Sequence, residues 1–264
     1  MSLKPLSVVG PAFVPPTAEY PGTLELPSLG YLYEDGKIPE GVLPARPLTT
    51  DVEKILVSAA GKTTEIFDTY LSFALKMPSG MTVRDLISGD RQYAIFYIRA
   101  ASLGPVYHFQ WTCDQCRRKN EDSVNITEFP VKKLEPGVKE PFELELPLSR
   151  DVISYRLFRG HDEADVEKRM EKEKDRAELK KYQLARCITH INGAPVDPNR
   201  FADTFAYVGR MLQGDSNELR LAIQDQDPGL DLVTQVRCKH CLAYEDLDVP
   251  MTPEFFRPSK RIRR

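Results

Sequence analysis

Two short cysteine pairs, Cys113-x-x-Cys116 and Cys238-x-x-Cys241, constrain this chain more than any other feature, because 121 residues separate them while their surroundings match. An alternating, strand-like run enters each pair: Phe109-Gln-Trp-Thr-Cys-Asp-Gln-Cys in the first copy and Val233-Thr-Gln-Val-Arg-Cys-Lys-His-Cys in the second. A second alternating run leaves each, Ser123-Val-Asn-Ile-Thr and Tyr244-Glu-Asp-Leu-Asp-Val. Two such knuckles supply four thiolates in a tetrahedron, the donor set of a structural Zn²⁺. The spacing therefore predicts Cys113, Cys116, Cys238 and Cys241 as metal ligands. A metal closed by four thiolates has no free coordination position, so it would organise the fold and catalyse nothing. One shared ion fits the matched flanking strands; a pair that joins another subunit's pair is the alternative.

Other uses of these cysteines fit less well. A disulfide suits a secreted chain, and Met1-Ser-Leu-Lys-Pro lacks the apolar stretch of a secretory leader, so the expected setting is the reducing cytoplasm of the cell that makes the protein. A thioredoxin-like site uses one Cys-x-x-Cys in a βαβ setting, not two. Cys187 stands alone in Leu184-Ala-Arg-Cys-Ile and reads as a small buried hydrophobe. His240 lies inside the second knuckle as a substitute ligand at best, and His108, His161 and His190 form no ligand or triad spacing. Hydrolase, metalloprotease and phosphate-loop motifs are missing and no carboxylate pair stands at a working distance, so the expectation is a protein that is not an enzyme.

Proline use divides the chain. Nine of the 21 prolines fall within the first 50 residues, which excludes a helix or a central strand there. Phe13, Val14, Tyr20, Leu24, Leu26, Leu29, Tyr31, Leu32 and Tyr33 lie between them, so residues 1–48 read as an extended apolar arm, held by its own domain or, in the favoured reading, by a partner. From Thr50 the pattern turns helical through residue 106, with capping-box patterns at Thr50-Asp-Val-Glu53 and Thr82-Val-Arg-Asp85. Residues 90–102 are apolar on nearly every side and predict a buried helix. Residues 107–128 and 232–250 then form the zinc ribbon, and residues 129–231 are inserted between its halves. The insertion opens with a hairpin, Phe142–Leu146 against Ile153–Leu157. A long helix is expected over Asp162–Ile191; its first twenty residues carry 15 charges and predict a solvated face. Asn192-Gly193 marks a turn, followed by helices over 199–212 and 216–224. The chain ends in a basic tail, residues 251–264, with Lys260-Arg-Ile-Arg-Arg264 at its tip. The fold class is thus α+β: a helical domain joined to a zinc ribbon, with an α/β insertion and a proline-rich arm.

Several segments resemble a viral family. Leu26-Pro-Ser-Leu-Gly-Tyr-Leu-Tyr, Leu48-Thr-Thr-Asp-Val-Glu-Lys-Ile-Leu and Val83-Arg-Asp-Leu-Ile-Ser-Gly-Asp-Arg-Gln-Tyr, leading through Ile98-Arg-Ala-Ala-Ser-Leu-Gly to Cys113-Asp-Gln-Cys116, are similar to T4-like bacteriophage baseplate hub proteins. The likeness is best over residues 24–125. It implies a structural or assembly protein of a contractile tail, located in the virion and touching other baseplate or tail proteins, with self-association left open. No membrane segment is expected, since no apolar run reaches the length of a bilayer span. The rival is a zinc-ribbon nucleic-acid module, for which Arg117-Arg-Lys119 and Arg237-Cys-Lys239 supply charge, and Trp111 and His108 supply stacking faces. A net charge of −3 makes nucleic acid the less favoured partner.

Overall fold

In the computed structural model, which describes residues 20–34, 36–52, 63–171, 173, 175–251 and 253–256, the proline-rich stretch is not an extended arm from residue 20 onward. Gly22–Glu25 (β1) pairs antiparallel with Val42–Ala45 (β2), Leu24 facing Leu43. A two-stranded ribbon has only edges, which is where a residue such as Pro44 is tolerated. Leu24, Leu26, Leu32, Ile38 and Leu43 are all buried in the protein's own main core, so these apolar residues need no partner to cover them. The expectation of a partner-held arm is corrected for this stretch; residues 1–19 lie outside the described residues.

The helical part is Thr63–Ala74 (α1) and Ser88–Leu103 (α2). A helical turn starts at Thr50, but the rest of the helix expected there, including Glu53 of its capping pattern, lies outside the described residues. The pattern at Thr82 does form a capping box: the Thr82 N–H donates to the Asp85 carboxylate at 2.6 Å. It starts a single 3-10 turn, Val83–Asp85, rather than the α-helix expected, because Leu86 and Ile87 return to extended backbone. Helix α2 is central, as its composition predicts: Ala94, Ile95, Phe96 and Ile98 are buried, and Gly104-Pro105 ends it.

Two hairpins follow from opposite ends of the remaining chain. Val106–Thr112 (β3) pairs with Lys119–Asn125 (β4), and much later Val233–Arg237 (β11) pairs with Tyr244–Asp248 (β12). Arg99, fully buried in α2, fixes how the first hairpin leaves the core. Its guanidinium donates to the carbonyls of Gly104, Val106 and Phe255. The Tyr107 hydroxyl donates to the Pro250 carbonyl at 2.8 Å, tying the start of β3 to the end of β12. Phe255, 0 % exposed in the short helix Pro253–Phe256, packs on Tyr107 and Phe96. The C-terminal segment therefore enters the core as far as Phe256; the basic residues beyond it lie outside the described residues.

The insertion has a core of its own. After the short strand Val131–Lys132 (β5), Phe142–Glu145 (β6), Val152–Tyr155 (β7), Ile188–Ile191 (β8) and Ala194–Pro195 (β9) form an antiparallel four-stranded sheet in that order. The expected hairpin is present, and Asn192 and Gly193, both at positive φ, turn β8 into β9. The single long helix is not. Gly160–Met170 (α3) and Arg176–Cys187 (α4) are separate, the second capped by Asp175 accepting from the Ala177 N–H at 2.8 Å. The last four residues of the expected helix are β8, in which the β-branched Ile188 and Ile191 pair with Tyr155 and Ile153 of β7. Nor is α3 solvated all round: Asp162, 1 % exposed, accepts from Arg156 at 2.6 and 2.9 Å and from Arg186 at 2.9 Å. Phe201–Arg210 (α5) and Gln213–Gln226 (α6) complete this core around Leu146, Ile153, Leu184, Val208 and Leu219. Gly229–Leu230 (β10) pairs with β5 and returns the chain to the main core.

Candidate metal centre

Each hairpin carries its cysteines in a six-residue loop of the same backbone form. In the first, the Cys113 N–H donates to the Arg118 carbonyl at 3.0 Å and the Arg117 N–H to the Cys113 carbonyl at 2.9 Å. In the second, the Cys238 N–H donates to the Ala243 carbonyl at 2.8 Å and the Leu242 N–H to the Cys238 carbonyl at 3.0 Å. The residue after the second cysteine is left-handed in both: φ is 57° at Arg117 and 65° at Leu242. This closure bends each loop so that both of its thiols face inward.

The two loops meet. All four sulfurs, from Cys113, Cys116, Cys238 and Cys241, lie within 4.8 Å of one another. The contacts cross between hairpins: Cys113 to Cys241 and Cys116 to Cys238 are each 3.6 Å, and none of the cysteines is in a disulfide. A tetrahedral ion with metal–sulfur bonds of about 2.3 Å has sulfur–sulfur edges of about 3.8 Å, so the donor set fits Zn²⁺ in size and chemistry. Cys113 and Cys238 are buried, Cys116 is half-buried and Cys241 is exposed, so the cluster sits at the loop ends of the two hairpins with one side open to solvent.

The surroundings treat the thiols unequally. The Glu245 carboxylate accepts from the Cys113 thiol at 3.0 Å and pushes it up to about 12. Burial works against the Cys238 thiolate, yet the backbone N–H groups of Cys241 and His240 and the Asn120 amide bring it down to about 6. Asn120 is the residue that the sequence reading missed. It is buried, its Nδ2 donates to the Cys238 sulfur at 3.5 Å and to the Arg118 carbonyl at 3.1 Å, and its Oδ1 accepts from the Lys239 N–H at 2.9 Å. It thus stitches the two loops together. Nothing in Lys119-Asn-Glu-Asp-Ser marks position 120 as inward, so no local signal could have found it.

His240 is exposed and turned away, its ring beside the Lys119 carbonyl at 3.3 Å, and is not among the clustered donors. Cys187 is buried in the insertion, where burial pushes its thiol up to about 12, as expected of an inert side chain. Trp111, offered as a stacking face for bases, is 5 % exposed and part of the main core.

The chain is an α+β protein in which two distant hairpins bring four cysteines close enough together to hold a metal ion. The family model for the T4 bacteriophage base plate protein matches residues 31–257, and the chain belongs to that family. A structural role in the phage baseplate, in the virion tail and among other tail proteins, follows from that membership. Neither the curated proteins nor the solved structures contain a match. Among the described residues, no helix is long and apolar enough to cross a membrane.

Proposed function

We propose that this chain is a structural component at or near the hub of a contractile-tail baseplate, acting through protein–protein contacts and stabilised by one Zn²⁺ held within the chain. Cys113, Cys116, Cys238 and Cys241 are its ligands, and the two hairpins, residues 107–128 and 232–250, form a zinc ribbon around it. The role is not enzymatic: a closed tetrathiolate polarises no substrate. The protein is made in the host cytoplasm, where thiols stay reduced and free to take up metal. The observation that carries the reading is the convergence of four sulfurs within 4.8 Å from positions 121 residues apart. Such a site stabilises small zinc-dependent folds by on the order of 10 kcal/mol, enough to close two hairpins that are marginal alone.

The test is zinc content by native mass spectrometry, with the single tryptophan as a second readout. The wild-type monomer is expected to carry one zinc. Cys238→Ser is expected to lose it, and the emission of Trp111 to shift to the red as its hairpin opens. Full zinc retention in Cys238→Ser would sink the four-thiolate assignment. The nucleic-acid reading loses one of its two stacking residues, since Trp111 is buried while His108 is exposed; salt-sensitive binding to random DNA or RNA by the zinc-loaded protein would favour that reading.

A further inference from the structure

We infer that the tip of the two cysteine loops is a docking surface for an acidic face of a neighbouring tail protein that carries an apolar pocket. The inference rests on the zinc-held ribbon proposed above.

Leu242 is the starting point. It lies at φ 65°, a conformation that costs a non-glycine residue about 1 kcal/mol or more, and its side chain is 57 % exposed. Backbone geometry would favour glycine there, and solvent exposure would favour a polar residue. More than half of this apolar side chain is left to solvent. Tyr244, two residues on, is 61 % exposed, and the Arg237 guanidinium lies over its ring at 5.4 Å. Stacking steadies that arginine beside the exposed leucine, and arginine and tyrosine are both common anchors of protein interfaces.

Charge specifies the partner. The loops present Arg117, Arg118, Lys119, Arg237 and Lys239, all exposed, against two carboxylates, Asp114 and Glu245, and the Glu245 carboxylate is turned onto the first loop, accepting from the Asp114 N–H at 3.0 Å. Asp114 is already paired with Arg117 at 3.2 Å. The chain as a whole carries a net charge of −3, so the tip is a cationic island on an acidic protein. Cations around an exposed leucine and tyrosine match carboxylates around an apolar pocket. A polyphosphate backbone would use the cations and leave Leu242 unemployed. A zinc held by both loops would keep the tip rigid, which lowers the entropy lost on docking.

A photoreactive benzophenone amino acid placed at position 244 during infection reads out the contact in assembled tails. The expected result is one cross-linked protein segment, apolar at its centre and flanked by Asp or Glu. Leu242→Ser and Arg237→Glu should each lower the cross-link yield at least tenfold, and reversing the charge of the partner's acidic residues should restore it with Arg237→Glu. Zinc content of each variant is measured alongside: zinc retained with the cross-link lost assigns the effect to the docking tip, whereas zinc lost removes the ribbon on which the tip depends. Cross-linking to nucleic acid, no cross-link in assembled tails that hold zinc, or a yield indifferent to Arg237→Glu would each overturn the inference.

Discussion

At the scale of single residues, the centre depends on more than its four sulfurs. Asn120 contributes a donor to Cys238 and an acceptor to Lys239 from one buried amide, so it fixes the distance between the loops. Groups that orient metal ligands in this way typically alter affinity by about 10–100-fold when removed. Asn120→Ala is accordingly expected to weaken zinc binding by a factor in that range while leaving one metal per chain; competition with a chelator of known affinity measures it, and an unchanged affinity would assign Asn120 to packing alone. The cysteines were readable because ligand spacing is local in sequence. Asn120 was not, because its value comes from a loop 118 residues away.

At the scale of elements, buried charge joins helices α1, α2 and α3. The Arg91 side chain is 1 % exposed on α2, and its guanidinium meets Asp68 of α1 at 2.8 Å, Glu163 of α3 at 3.0 Å and the Val83 carbonyl at 2.6 Å. Gly160 starts α3 against this group; a Cβ there would come within 2.7 Å of the Arg91 guanidinium. Removing Arg91 would leave Asp68 with Arg84 and Glu163 with the Ser88 hydroxyl but take away the cation they share, and losing one partner of a buried ion pair costs up to about 3–5 kcal/mol. Arg91→Met should therefore lower the urea midpoint sharply and loosen α3, whereas a midpoint equal to wild type would show that the network contributes no net stability. In the sequence, Arg91 stood inside a helix read as apolar on nearly every side, and nothing local distinguished it from a surface arginine. The same limit explains the expected 162–191 helix. Its charge pattern suited a helix throughout, but Ile188–Ile191 found hydrogen-bonding partners on β7, and tertiary pairing overrode the local pattern.

For the whole molecule, stability is expected to depend on pH through the joint between the two cores. The insertion returns to the main core at Asp227-Pro228, directly over Gly89 at the start of α2, where a Cβ would come within 1.6 Å of the Pro228 carbonyl oxygen. Burial, and after it the nearby Asp90 carboxyl, push Asp227 up to about 7, and its Oδ1 is buried without a hydrogen-bond partner. The unfolded chain would release this proton near pH 4. Between about pH 4 and pH 7 the native state therefore holds a proton that the unfolded state has lost, and stability falls as pH rises through that window. Asp227→Asn should flatten this slope, raising Tm relative to wild type at pH 8 and changing it little at pH 4. Parallel pH profiles for the two proteins would mean that Asp227 ionises freely in the fold.

The sequence by itself determined the α+β class, the four cysteines, the paired strands around them, the buried helix over 90–102, and the likeness to the phage baseplate family. All of these rest on short-range spacing or on segments that keep their pattern wherever they are packed. Only the tertiary structure decided that the proline-rich stretch from residue 20 belongs to the main core, that Trp111 is inside, that the charged helix is two helices and a strand, and that Asn120 and Arg91 bind distant elements together. Those outcomes depend on which partner a backbone or side chain meets across long loops, and the free energy of such a meeting is not written in the spacing of either segment alone.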